Sequence, residues 1–422
     1  MIASACPSRY NPKNKIIHIL VAMFSKKICC PFLILAVLSI TLSGCSQTPT
    51  STAGGSEPEY RFVIISPYAD VDWTTFGQFK ASLHTHTENS AGIPVSTSLM
   101  VEELYNRGFD IVAITNHNYV TRSWDQKTMG GAITTQRKAE VEAGVGRDGR
   151  GMLAIRYTNE QSRSDHINSF FVDFNNERDQ SMEDIIVAVE SLGGMTRLNH
   201  PGRYTRAHTD SAISDDPAVV QKYVDIFMAF PSCVGMEIIN RLDNESRADR
   251  ILWDNILKQT MPLNRSVWGF ADDDSHHPAE VGYAWNVMLM PSLDQDSFRV
   301  AMEAGTFYAV SRVSRPDNIN NTLPDGGNTP SSGRASTEYM LSQSTPSILN
   351  IAVDERNGTI AISGQDYDVI EWIADGVVIA TDGTLSLREH QETINSYVRA
   401  QLKSDTGITF TQPFGVTIIP PL

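Results

Sequence analysis

The chain has 422 residues, enough at about 150 per domain for two or three domains, and its 41% hydrophobic and 20% charged content argues against a disordered, collagen-like or multi-spanning membrane protein. The formal net charge is −15, yet the first 45 residues hold five basic side chains (Arg9, Lys13, Lys15, Lys26, Lys27) and no acidic one, leaving 29 basic against 49 acidic residues beyond them, a net of −20. Such a surface repels polyanions: no nucleic-acid polymer is expected as a partner, and a small phosphorylated substrate needs a local cationic centre, most simply a metal.

Lys26 and Lys27 precede an uncharged, Leu/Ile/Val-rich stretch from Ile28 to Gly44, too short for a comfortable membrane span and of the length of a signal-peptide apolar region. It ends in Leu42-Ser43-Gly44-Cys45, which resembles the lipobox of bacterial lipoproteins, where the Cys is lipid-modified and becomes the first mature residue. A signal anchor or a buried core helix is the alternative. The expectation is a signal peptide over 1–44, with Met23 a second candidate start, and a Ser/Thr/Gly/Pro linker over 45–60. The body would then be held on a membrane of the bacterial cell envelope through lipidated Cys45, at the periplasmic face or cell surface. Cys233 would be the one remaining thiol, so neither an intrachain disulfide nor a Cys-based metal cluster is available.

From 61 to 313, short apolar runs alternate with amphipathic segments, the pattern of a parallel sheet or an α/β barrel. The runs include Phe79–Leu83, Asp110–Thr115, Met152–Tyr157, Met195–Leu198, Val234–Ile239 and Ser266–Phe270. Helices are predicted over Ser96–Asn106, Met182–Ser191, Ala218–Phe230, Arg247–Lys258 and Asp294–Ala304, with Gly108 and Gly193 at C-cap positions. Residues 314–345 read as a low-complexity linker or insertion, and 346–422, with short β-branched runs and turn signals, as a small β-sandwich-like domain.

His84, His117, Glu160, His200, Glu237 and Asp274 all fall at or just past the end of an apolar run, the edge where the loops of an α/β barrel converge. Imidazole with carboxylate is the usual ligand set for zinc, manganese or iron in hydrolytic sites. In His84-Thr85-His86 the two-residue period of a strand points both rings one way, and Asp274-Ser275-His276 repeats the geometry. Neither a Gly-rich nucleotide loop nor a G-x-S-x-G elbow occurs, which disfavours kinase, dehydrogenase and serine-hydrolase readings.

The series LHTHT (83–87), ITNHN (114–118), Glu160 with Asp165-His166, LNHPGR (198–203), GMEIIN (235–240) and DDDSHHP (272–278) resembles the polymerase and histidinol phosphatase (PHP) family. The resemblance implies a distorted seven-stranded (β/α) TIM-like barrel that holds two or three divalent ions and hydrolyses phosphoesters. It further implies His84, His86 and Asp274 on a first ion, Glu160 bridging to a second completed by His166 and His200, and His117 and His276 at a third. Two positions depart from the family pattern: Ala91 and Asn116 stand where many members have Asp, so two ions are as plausible as three, with Glu88 a substitute ligand.

Activated water and clamping of the attacking and leaving oxygens would be the chemistry of such a centre. Arg203 is a candidate phosphate clamp or a structural Arg, and His276 or His277 a candidate proton donor to the leaving group. Glu237 could touch metal or orient a ligand, Asp272 and Asp273 read as supporting carboxylates, Asn240 and Arg241 as substrate-reading residues, and His208 and His390 as surface histidines. A metal-dependent amide or lactone hydrolase and a non-catalytic metal-containing binding lipoprotein are the alternative functions.

Overall fold

The computed structural model describes residues 60–90, 92–126, 131–176, 180–240, 245–312 and 342–420. The leader with Cys45, most of the 45–60 linker, Ala91, Arg241 and most of the 314–345 stretch lie outside them. Among the described residues no helix is long and apolar enough to cross a membrane. The described residues belong to one compact unit.

The fold is mixed α/β. Three short parallel strands, Gly77–Ser82, Ile111–Val112 and Leu153–Ala154, lie at one end of an eleven-stranded sheet, which continues through the antiparallel strands Ala284–Met290 and Phe307–Arg312. A second sheet contains Asn159–Gln161, Ile167–Phe170, Met195–Leu198, Cys233–Asn240 and Trp268–Asp272. A closed barrel was the expectation, and the sheets are open. Two of the parallel strands are only two residues long, and Asn159–Gln161 turns back as an antiparallel hairpin with Ile167–Phe170, so the ladder breaks there. Isolated parallel bridges, Thr85 with Ser275 and His117 with Glu160, span the gap just past the strand ends.

The helices follow the sequence closely. Met182–Ser191 carries apolar Met182, Ile185, Ile186 and Val189 on its buried face, and starts with a capping box between Ser181 and Asp184. Thr97–Asn106 is capped by Ser96, and Gln295–Ala304 by Asp294. Both helices before Gly108 and Gly193 end as expected, each glycine at φ 77°. Two helices escaped the sequence reading: the five-residue Pro201–Thr205, and Thr135–Glu142, where only Lys138 and Val141 are buried, too few to leave an apolar stripe.

Residues 346–422 read as a small β-sandwich-like domain; part of their strands enter the large sheet, while Ser347–Asp354, Thr359–Gln365 and Thr384–Ser386 form a sheet of three. Gly407–Phe410 pairs with Phe307–Arg312, and Phe414–Ile419 pairs with the first strand, Arg61–Ile65. A single run from Ile408 to Phe414 is split because Pro413 has no N–H for the ladder. A two-layer packing does form: Ile348, Ile351, Ile360 and Ile362 of a three-stranded sheet share a core with Trp372, Val398 and Leu402 of the large sheet. Polar ties reach further, with the Gln412 amide bonded to both N and O of Gly269 at 2.8 and 2.9 Å, and Asp254 bonded to Arg399 and Tyr397.

Candidate metal centre

The Thr85–Ser275 bridge lays the two alternating segments side by side, with His86 N donating to Ser275 O at 2.8 Å. Four groups then face one point: His84 Nε2 and His86 Nε2 lie 3.3 and 3.0 Å from Asp274 Oδ1, and His84 Nε2 lies 3.1 Å from Glu160 Oε1. The His117–Glu160 bridge brings in the other half. His117 Nε2 is 2.8 Å from Glu160 Oε2, His166 Nδ1 2.9 Å and His200 Nε2 3.6 Å from Oε1. His276 joins with its ring 4.3 Å from that of His86.

His84, His86, His117, Glu160, His166, His200, Asp274 and His276 are therefore in one cluster. Its ligand atoms fall into overlapping sets within 4.8 Å of one another: His84, His86 and Glu160; His117, Glu160 and His166; His86, His117 and His276; and His84, His200 and Glu237. His84, His86, Glu160 and His200 are fully buried; both ring nitrogens of His200 have no hydrogen-bond partner, and His84 Nε2, His86 Nε2 and Glu160 Oε2 face only one another and the neighbouring His117 and Asp274. Unpartnered polar atoms at zero exposure are costly. Lone pairs converging on a common point are what a cation requires, so these residues fit divalent metal.

Electrostatics agree with that fit. Burial alone would raise the Glu160 carboxyl, but the surrounding His84, His166 and His117 rings hold it well below the usual range. Asp274 is likewise held down, against its burial, by His84, His86 and His200. Burial pushes the His86 ring down to about 3, so it is neutral and able to ligate. His84 is raised well above the usual value because Asp274, Glu237 and Glu160 outweigh its burial.

A layer of partners fixes the ligands. Glu237 Oε1 sits 2.6 Å from His84 Nδ1, and its Oε2 accepts from His200 N at 3.0 Å and Asn240 Nδ2 at 2.8 Å. With Nδ1 engaged, Nε2 is the His84 atom left for metal, so Glu237 orients. His276 Nδ1 lies 2.8 Å from Asp274 O in the same manner. Asp272 accepts from Leu83 N at 2.6 Å and from Arg197, and Asp273 accepts from the backbone of Gly282, Tyr283 and Ala284. Two ligands sit on unusual backbone, His200 at φ 29° and Asp274 at φ 46°, strain of the kind held at functional sites.

Other predicted residues are placed differently. Asn116 does not turn to the cluster: its Oδ1 accepts from Thr87 N at 2.7 Å and Ser90 Oγ at 3.0 Å, while its amide donates to Thr87 Oγ1 at 3.0 Å, making it a buried brace under the His86 and His117 loops. His277 is exposed, and its Nδ1 accepts from Ala279 N at 3.2 Å, a cap for the turn Pro278–Glu280. Arg203 is half-buried on the short helix Pro201–Thr205 just after His200. Glu88 accepts from Thr97 Oγ1 at 3.2 Å and belongs to none of the metal-capable sets. His208 bonds Gly202 O at 3.2 Å, and Cys233 is buried with its thiol pushed up to about 12.

Three residues had been passed over. Arg197, fully buried, bridges Glu237 at 2.9 Å and Asp272 and lies over the Phe270 ring. Asn199 donates to Glu160 Oε1 at 2.7 Å. Tyr204 packs its ring 5.2 Å from His166 and 5.7 Å from His200. The signal for Arg197 was present, since a guanidinium inside the apolar strand Met195–Leu198 demands buried carboxylates.

No family model matches the chain, and no curated protein matches it. Among solved structures it is similar to a two-domain protein from Bacteroides vulgatus, described as containing a predicted PHP-like metal-dependent phosphoesterase, at 17% identity and TM-score 0.42 over 82% of this chain and 88% of that one. It is also similar to a lesion-specific endonuclease from Pyrococcus furiosus (12% identity, TM-score 0.34, 54% of this chain and 56% of that one). A third is an amidohydrolase from Chromobacterium violaceum with bound sulfate and no metal (14% identity, TM-score 0.31, 54% and 96%). These likenesses are remote, and the chemistry of the site rests on its own atoms. The structural neighbours of the chain thus include a PHP-like metal-dependent phosphoesterase.

Proposed function

We propose that the chain is a metal-dependent hydrolase that cleaves a small phosphomonoester or phosphodiester, held at a bacterial membrane through a lipid on Cys45. The observation that carries the reading is the shared carboxylate: Glu160 places one oxygen 3.1 Å from His84 and the other 2.8 Å from His117, as a bridge between two ions would. His84, His86 and Asp274 would hold one zinc, manganese or iron ion, and His166, His200 and Glu160 a second. His117 and His276 supply a third position, so the proposal is two or three ions. Bound there, they would polarise the phosphoryl group and make water acidic enough to attack it.

The chain's own groups do the rest. Glu237 and Asn199 keep His84 and Glu160 aimed, and Asp274 O fixes His276. Arg203 is assigned the phosphate clamp, and His276, when only two ions are bound, the proton donation to the leaving oxygen. The clustered cations would reverse, at one point, the −20 charge of the body, which supports a small anionic ester over a nucleic-acid polymer. Elemental analysis of the purified protein, with phosphoester turnover measured before and after a chelator, tests the reading. At least two ions per chain and chelator-sensitive turnover are expected; turnover of amides or lactones alone would reject the phosphoesterase. Incorporation of labelled fatty acid, abolished by Cys45→Ala, tests the anchor.

A further inference from the structure

A cavity of about 800 Å³ opens beside the cluster, and His117 belongs to both. Ser90 joins them a second time: it lines the cavity while its Oγ accepts from His117 N at 2.8 Å. A phosphoryl group fills a small part of such a volume, which is in the range of sites for whole organic ligands. Ile93, Pro94 and Tyr119 supply its apolar lining beside the polar Glu88, Asn89, Ser96 and Asn118, and among the described lining residues none is Lys or Arg. The ring of Tyr119 is held in place through its hydroxyl, which accepts from Gln126 Nε2 at 2.7 Å.

We propose that this cavity receives the alcohol part of the substrate, and that this alcohol is a bulky, uncharged, largely apolar group, aromatic or branched, carrying no second phosphate. The proposal rests on the phosphoesterase reading above and adds the class of leaving group. An apolar group gains by leaving water against Ile93, Pro94 and Tyr119, whereas a second phosphate would meet the Glu88 carboxylate and no cationic side chain among the described lining residues, on a body of net charge −20. In the reaction, water adds its oxygen to phosphorus, the phosphorus–oxygen bond to the alcohol breaks, and the alcohol departs with a proton, leaving inorganic phosphate from a monoester.

Benzyl phosphate and ethyl phosphate test this with the full-length, metal-loaded protein, because both release alkoxides of similar basicity and differ mainly in apolar size. The expected kcat/KM ratio favours the benzyl ester by about tenfold or more, the scale for methylenes in a fitted apolar pocket. Ile93→Thr, and independently Tyr119→Ser, should each reduce that ratio severalfold. Ligand-observed NMR with benzyl alcohol, which needs no turnover, should show binding to the wild type and weaker binding to both variants. Equal use of the two esters, a ratio unmoved in both folded variants, or a preference for propane-1,3-diyl bisphosphate over benzyl phosphate would overturn the proposal while leaving the phosphoesterase intact. Hydrolysis of none of these esters by metal-replete protein would overturn the phosphoesterase and this inference with it.

Discussion

Glu160 joins the two halves of the cluster, one carboxylate oxygen facing His84 and the other His117. Glu160→Gln keeps the shape and removes the charge; metal content should fall by at least half and kcat/KM by about 10²–10³, read by elemental analysis and steady-state kinetics. Arg197 acts at one remove. Replacing it with Met leaves Glu237 and Asp272 buried without their counter-ion, so urea unfolding should show a loss of about 3–5 kcal/mol. Glu237→Gln is gentler on the fold and should weaken metal binding about 10- to 100-fold, measured by competition with a chromophoric chelator. Unchanged affinity would mean that Glu237 does not orient His84.

Within the strand Gly77–Ser82, Lys80 is packed over the rings of Phe109 and Trp285 and donates to Arg107 O at 3.2 Å. Burial, aided by Arg312 and opposed by Asp273 and Asp110, lowers its pKa from 10.5 to about 7. Between those values the unfolded chain binds the proton that the folded chain has released. The cost of this strand's lysine is therefore full below pH 7 and is relieved as pH rises toward 10.5, by at most about 1.4 kcal/mol per unit. Lys80→Met should gain most over wild type near pH 6, and the gain should shrink by pH 9.5 in paired urea titrations. A gap that stays flat across that range would show that Lys80 is charged in both states. The helices at this scale were legible because their apolar spacing and caps are local: Ser181 with Asp184, Ser96 and Asp294 are all readable without knowing any neighbour. The break at Asn159–Gln161 was not, because an antiparallel hairpin and a parallel strand present the same short polar run.

Across the whole molecule the first strand, the strand Gly77–Ser82 that leads into His84 and part of the tail share one eleven-stranded sheet, while Glu160 lies in the separate five-stranded sheet. A body tied in this way should unfold in one calorimetric transition, with the tail melting together with the centre; two resolved transitions would restore the separate C-terminal domain. The sequence by itself brought out the candidate residues, because two-residue spacing and strand-end placement are local properties that single out His84, His86, His200 and Asp274, while their assignment as ligands came only from the family resemblance. It also determined the acidic surface that a cationic centre must interrupt. Only the tertiary structure decided that Asn116 braces loops, that His277 caps a turn, that Arg197 stands behind Glu237, and that the sheets stay open with the tail inside them. Those outcomes depend on which groups meet across tens or hundreds of residues, as Gln412 meets Gly269, and such encounters leave no periodicity in the chain to read.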